Sequence, residues 1–521
     1  MTPVDEMVAR QSLERRKSNL RWWPAVVVVA LWVAFLLVRW FAGPGTRQDK
    51  VIATMAASAL GLMLLLLWFV LASRARWTHR LAVLGLAVVG ALVASQFLTI
   101  TGVSGDLVPI LGWKDSNEVV VDQAVERSST DVVVAVTDGS ADYPQFLGPD
   151  RNATVAGVRL ARDWQASPPR EIWRRQVGEA WSGFAVAAGF AVTQEQHGTE
   201  EQVVAYELAT GEPRWRHADE TRYETTIGGI GPRATPTIVG GSVYTLGATG
   251  SLNALDLESG DLLWSQNVLE NHGATAREWG MSGSPLVAGD LIIVSAGGEN
   301  GNSLVAYRRD NGELAWTGGD GRSSYSSPML ATLSGREQVV IRNRYSINGH
   351  DPATGEVLWS QDWPGDQPGV AQPVLLSGDR LLISSGYGIG AKLFRIGDDG
   401  VETLWESLRM KAKFTNLVEH QGYIYGLDDG VMVCLDPATG ERCWKKGRYG
   451  HGQVILAGDL LLVTAEEGDV VLIDPNSERL DELGKFSVFD RRTWNTPALA
   501  GRLLLVRNDR EAALYELPVR Q

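Results

Sequence analysis

The sequence predicts an all-β body, an eight-bladed β-propeller of four-stranded blades, preceded by three transmembrane α-helices. Three observations predict it. Three long apolar segments fill the first hundred residues. A short segment ending in Trp recurs through most of the remaining chain. The composition is turn-rich and aromatic, with 57 Gly and 19 Trp in 521 residues, which suits many short strands joined by tight turns.

The apolar segments run over about 22–41, 51–71 and 81–100. Each is long enough to cross a hydrocarbon core of about 30 Å as a helix. Trp22, Trp23, Trp40, Trp68 and Trp77 stand at or near their ends, where amphipathic rings favour the membrane interface. A cleaved signal peptide would account for one such segment and not three. Arg10, Arg15, Arg16, Lys17 and Arg21 precede the first, and Arg74, Arg76 and Arg80 lie between the second and third. Fewer cations lie on the other side: Arg39, Arg47 and Lys50, then Lys114. The positive-inside rule therefore places the tail 1–21 in the cytoplasm and everything after residue 100 outside. In a bacterium this means the inner membrane, with the body in the periplasm. Residues 101–142, acidic and rich in Ser, Thr and Val, read as a linker to a body over 143–521.

That body repeats. "AYELATGEPRW" (205–215), "ALDLESGDLLW" (254–264), "AYRRDNGELAW" (306–316), "GHDPATGEVLW" (349–359) and "CLDPATGERCW" (434–444) align without gaps. Each reads as a β-hairpin, apolar alternation on both sides of a Gly turn. About 30 residues before each Trp stands a small or polar residue followed by an apolar run: "SGFAV", "ATPTI", "SGSPLV", "YSSPML", "AQPVLL", "FTNLV", "HGQVIL" and "NTPALA". A Gly turn follows every copy. Each unit is thus four strands, with Trp215, Trp264, Trp316, Trp359, Trp405 and Trp444 ending six of them and Phe486 at the matching distance in the seventh. The chain ends before an outer strand for the eighth, and "IWRRQV" around Trp173 supplies it from the N-terminal side. Four-stranded units of this length arranged radially make a propeller. The Trp side chains are expected to fill the wedges between blades as core.

The repeat resembles the pyrroloquinoline-quinone-like propeller repeat shared by quinoprotein alcohol dehydrogenases and the BamB-type outer-membrane assembly lipoprotein. The leader "DYPQFLGPDRNATVAGV" (142–158) also resembles the start of bacterial, planctomycete-type members. The resemblance covers about 143–517 and implies the fold; function lies in sites grafted on it. It departs at the N-terminus, where the lipoprotein has no counterpart of three spans. Quinoprotein enzymes of the family hold the quinone against a disulfide of adjacent cysteines, with Ca²⁺ on Glu, Asn and Asp. This chain has no Cys-Cys pair. The resemblance therefore implies a non-catalytic binding or scaffold module with no cofactor, in cell-envelope assembly. The alternative is a dehydrogenase of alcohols or sugars that uses the quinone with Ca²⁺. Asp428, Asp429, Glu466, Glu467 and Asp469 can be read as cation ligands or as solvated turn acids.

Loop variety concentrates on the propeller face where inner strands begin, and binding sites favour such loops. Trp181, Arg233, Trp279, Tyr325, Gln372, Lys413, Asn416, His451 and Trp494 would ring the axial funnel there. They could hold a peptide strand, a glycan or an anionic small molecule, or simply bond neighbouring blades and plug the channel. No metal is expected, since no second His and carboxylate flank His451 at ligand spacing.

Charge narrows the partners. Residues 1–100 carry 11 Lys/Arg and 4 Asp/Glu, the rest of the chain 37 and 57, giving +7 and −20. An acidic body repels phosphates, which excludes nucleic acid and leaves a protein or peptide partner outside the cytoplasm. The two cysteines, Cys434 and Cys443, share one repeat hairpin. With Asp436 opposite Glu441, unbroken pairing puts Cys434 opposite Cys443, close enough for a cross-strand disulfide or for two inert thiols.

Overall fold

The computed structural model describes residues 20–114, 142–364 and 367–520. The chain divides into two units, Met1–Val119 and Val120–Gln521.

In the first unit, α1 (Trp23–Leu37), α2 (Arg47–Leu67) and α3 (Trp77–Phe97) are the apolar segments. The first two continue as π-helical turns to Ala42 and Ala72. All three are long and apolar enough to cross a membrane, with mean hydropathy of 1.8–2.4. Helix α2 starts on a capping box, Thr46 and Asp49 each satisfying the other's backbone N–H. Arg21 N–H donates to Ser73 O at one end of the bundle, and Arg47 pairs with Asp106 at the other. The segment expected as linker begins with structure: Leu98–Val103 pairs antiparallel with Pro109–Trp113. The third helix thus ends at Phe97, three residues before its expected end, and the chain turns to strand at Leu98. The tail 1–19 and most of the linker, 115–141, lie outside the described residues.

The second unit is built of sheets. Among the described residues, eight contain four consecutive strands pairing as neighbours. Seven run in plain chain order, the first over 185–219, the next over 237–267, 286–318, 329–362, 374–407, 418–448 and 453–487. The eighth joins Ala498–Ala500, Leu503–Arg507 and Glu511–Glu516 to Arg170–Gln176, with Leu514 opposite Trp173. The two distant ends of the body therefore share one sheet.

The repeat tryptophans clasp each sheet to the next. Trp173, Trp215, Trp264, Trp316, Trp405 and Trp444 each donate the indole N–H to a carbonyl in the following sheet's outer hairpin. Five rings lie flat on that hairpin's glycine, at Gly211, Gly260, Gly312, Gly355 and Gly440; an added Cβ there would meet the ring within 3.0 Å. Trp359 is different. The fifth sheet turns at Gly397–Gly400 without the Thr-Gly pair, and Trp359 bonds back to Gln338 of its own sheet.

Every one of these sheets also carries a β-bulge one residue before the Trp position. A bulge bends the strand and re-aims the following side chain. It corrects two readings. In the sixth sheet Asp436 does face Glu441, but Cys434 faces Trp444 and Cys443 is the bulged residue. The two thiols are free, Cys434 buried and Cys443 exposed. In the seventh sheet the Trp register belongs to Gly484, opposite Leu472, and not to Phe486. Trp164, between the leader and Arg170–Gln176, fills that space instead, against Gly484 and 5.5 Å from the Phe486 ring.

A second device ties the inner strands. The polar residue in each copy of the inner-strand repeat reaches the neighbouring sheet. Ser182 Oγ donates to Ala234 O, Thr235 N–H to Ser284 Oγ and Ser284 N–H to Ser327 Oγ. Ser327 N–H then donates to Gln372 Oε1, and Gln372 N–H to Asn416 Oδ1. Asn416 Nδ2 reaches Gln453 Oε1, Gln453 Nε2 reaches Trp494 O, and Asn495 Nδ2 returns to Ser182 O. All eight side chains are buried, so each bond satisfies a group that would otherwise be stranded.

Candidate functional site

The nine residues singled out at the inner-strand starts separate into two sets. Gln372 and Asn416 belong to the buried belt just described. The other seven lie where inner strands begin and form most of an arc. Trp279 stacks on Tyr325 with ring centroids 5.1 Å apart. Trp181 sits 5.0 Å from Trp494, and Phe414 bridges Trp494 and His451 at 4.9 and 5.1 Å. Gly228 joins the two halves: its carbonyl accepts from Trp181 Nε1 and Arg233 Nη2, and a Cβ on it would meet Trp279. Lys413 stands 4.8 Å over Tyr387, which is close enough to Tyr325 and Asp429 for both to act on it.

Three arginines and one carboxylate organise these rings. Arg492 lies over both Trp181 and Trp494, 4.6 and 4.3 Å from their centroids. Arg233 covers Tyr223 at 4.9 Å and Arg277 covers Tyr325 at 5.9 Å. Cations over aromatic faces are held by the ring quadrupole. Burial lowers Arg233 to about 10, and it also lowers Arg492. Glu466 accepts from Trp494 Nε1 and His451 N–H, anchoring the far end. The indole N–H of Trp279 is buried and has no partner. An aromatic, cation-bearing mouth can grip a peptide strand or an anionic group.

Sequence reasoning missed Arg492, Arg277, Tyr223, Tyr387 and Phe414. Phe414 opens the repeat copy "FTNLV", and the other four stand in irregular segments with no repeat position to mark them. It also treated Asp428 as an exposed turn acid or cation ligand. Asp428 is fully buried and bridges Lys411 and Lys445. Its neighbour Asp429 is raised by burial, against the pull of Lys411.

The leader crosses the inner strands of several sheets, away from these rings. Tyr143 exchanges both backbone bonds with Val186 of the first sheet, and Pro144 O accepts from Ile238 of the second. Arg151, 3% exposed, crosses to Ser284 O and Pro285 O of the third. Thr154 and Val155 then pair in parallel with Leu456 and Ala457 of the seventh.

A quinone site of the family type needs a Ca²⁺ held by clustered carboxylates. Among the described residues no three His, Cys, Asp or Glu side chains converge so as to hold a metal ion. Both cysteines lie in the outer hairpin of the sixth sheet, not at the mouth. The residues present do not fit that pair of groups.

Comparison with known proteins gives a consistent picture. Residues 124–332 and 278–446 match the family described as outer membrane protein assembly factor BamB. The chain is 23% identical over 360 residues to the BamB of Bordetella pertussis, covering 63% of this chain and 84% of that protein. Among solved structures, BamB from Moraxella catarrhalis superposes with a TM-score of 0.50 at 16% identity, over 67% of this chain and all of that one. A europium-containing methanol dehydrogenase gives 0.57 at 12% identity, over 73% and 98%. At such identities the structures speak for the fold.

Proposed function

The chain belongs to the family of the outer membrane protein assembly factor BamB, and from that premise we propose a non-catalytic scaffold in cell-envelope assembly. It is anchored in the bacterial inner membrane by three spans, N-terminus in the cytoplasm, with an eight-bladed propeller in the periplasm over 143–521. The mouth binds a protein or peptide partner, and no cofactor is required.

The observation that carries this reading is the mouth itself, where Trp279 stacks on Tyr325 and the guanidinium groups of Arg233, Arg277 and Arg492 lie over aromatic rings. The polar belt that returns from Asn495 to Ser182 supports eight blades in a closed ring. The Lys/Arg distribution supports the orientation. The pairing of Arg21 with Ser73 at one end of the helices and Arg47 with Asp106 at the other supports three antiparallel passes.

A photo-reactive residue in place of Trp279 tests the mouth. It is expected to capture a discrete protein partner from intact cells, and the same probe at exposed Glu258 is not. A reporter fused after residue 140 is expected to be active only outside the cytoplasm. Purification with added pyrroloquinoline quinone and Ca²⁺ separates this reading from the dehydrogenase: no quinone uptake is expected, and stoichiometric uptake with alcohol-dependent dye reduction would replace the scaffold reading.

A further inference from the structure

The leader does more than cross the inner strands; it shows how they accept a further strand. In each inner hairpin the residue before the closing pair points its N–H away from its own sheet, towards the axis. Val186, Ile238 and Leu456 occupy this position in the first, second and seventh sheets. Their N–H groups donate to Tyr143 O, Pro144 O and Ala153 O of the leader, each at 2.8 Å. The three side chains are 2%, 5% and 4% exposed.

The equivalent residues of the third to sixth sheets are Val287, Thr332, Leu375 and Glu419. The leader does not reach their amides. All four line one cavity of about 460 Å³, between the leader and these inner strands. Leu375 is 37% exposed there, and Thr332 and Glu419 are also exposed. Open inner-strand edges beside exposed apolar side chains are templates for an added strand. The cavity also has a sign. Its lining includes the exposed carboxylates Asp150, Glu337 and Glu419 and one cation, Arg151, whose guanidinium is already spent on Ser284, Pro285 and Gln145.

We propose that this cavity takes an extended peptide segment of a partner protein, alternating apolar and basic side chains, which adds as a strand to the inner edge of the third to sixth sheets. Its carbonyls accept from the amides at Thr332 and Leu375, as the leader's do at Leu456. Its apolar side chains cover Leu375 and Leu330, and its basic ones meet Glu337 and Glu419. The site lies away from the aromatic mouth and does not depend on what the mouth binds.

The test is fluorescence polarisation of the full chain in detergent with a labelled peptide alternating Val and Lys. Saturable binding is expected. The double variant Glu337→Lys, Glu419→Lys, changed at exposed positions only, should weaken it about tenfold or more. Thr332→Pro should weaken it about tenfold, the loss of one backbone hydrogen bond. Proline is tolerated on an inner edge whose N–H faces away from the ladder, and the charge variants decide alone if that protein does not fold. Trp279→Ala should leave binding unchanged. No binding, equal binding of a Val–Glu peptide, indifference to the charge reversals, or loss in Trp279→Ala would each overturn the proposal.

Discussion

Single residues here are governed by burial. Glu201 accepts from Ala248 N–H but lies 4% exposed. Burial raises its carboxyl to about 7, with Asp219 adding to the effect. The fold therefore favours the protonated acid, and stability falls as pH rises from the ordinary carboxylate range through about 7. The loss is on the order of 3 kcal/mol. Glu201→Gln keeps the acceptor and removes the charge. Its melting temperature should exceed that of the parent by a few degrees at pH 8 and match it at pH 5. The cysteines divide in the same way. Burial pushes the Cys434 thiol up to about 12, while Cys443 is exposed on the bulge. Maleimide should label Cys443 in the native protein and Cys434 only after unfolding, counted by mass spectrometry; absence of both labels from unreduced, denatured protein would show that the thiols join after folding.

At the scale of elements, the Trp–Gly clasp holds sheet to sheet. Gly312 and Gly378 both have positive φ, 72° and 75°, so alanine is strained at either. At Gly378 a Cβ meets nothing, whereas at Gly312 it meets the Trp264 ring. Gly378→Ala should cost about 1 kcal/mol and Gly312→Ala about 1–3 kcal/mol more. Paired urea denaturation curves measure the difference, and equal losses would mean that the ring moves aside freely. The two exceptions obey the same logic. The fifth sheet's outer hairpin pairs right through to Gly397 opposite Gly400, and Trp359 bonds back to Gln338 of its own sheet. The eighth sheet's outer strand arrives from the N-terminal side, so there is no hairpin to clasp, and the seventh carries Gly484 with Trp164 supplied from the segment after the leader.

For the whole body, the vulnerable place is where its ends meet. Arg507 of the eighth sheet is 1% exposed and donates to Thr193 Oγ1 and Gly178 O beside the first. It faces buried Glu195. Burial raises the Glu195 carboxyl, but His197 and Arg507 outweigh it and hold the group below its usual range. Arg507→Leu removes a stabilising charge near Glu195, which keeps His197, Tyr206 and the Gly178 N–H, and leaves Gly178 O and Gln194 O without that donor; it should cost about 1–3 kcal/mol. It should also speed proteolysis after Gln176, where the closing strand would peel away; loss of stability without altered cleavage would place its role elsewhere. This seam carries the only strand order that departs from chain order among these four-stranded sheets. It is the natural first opening.

Much of this was legible in the chain because it repeats. Hydrophobic length alone marked the three helices, and the Trp, Gly-turn and polar positions recur at fixed spacing, so the eight four-stranded units and the N-terminal strand of the last could be read directly. A repeat fixes local pairing through near neighbours. It is silent on events that happen once. The bulge before each Trp was hidden, because inserting one residue leaves the hairpin's hydrophobic pattern intact while moving Cys434 from Cys443 to Trp444. Gly484 could not be matched to Trp164, which lies more than three hundred residues earlier. The aromatic mouth and the open inner edges of the third to sixth sheets likewise arise from residues far apart in the chain, and they became visible only when the sheets were set side by side and the leader was laid across them.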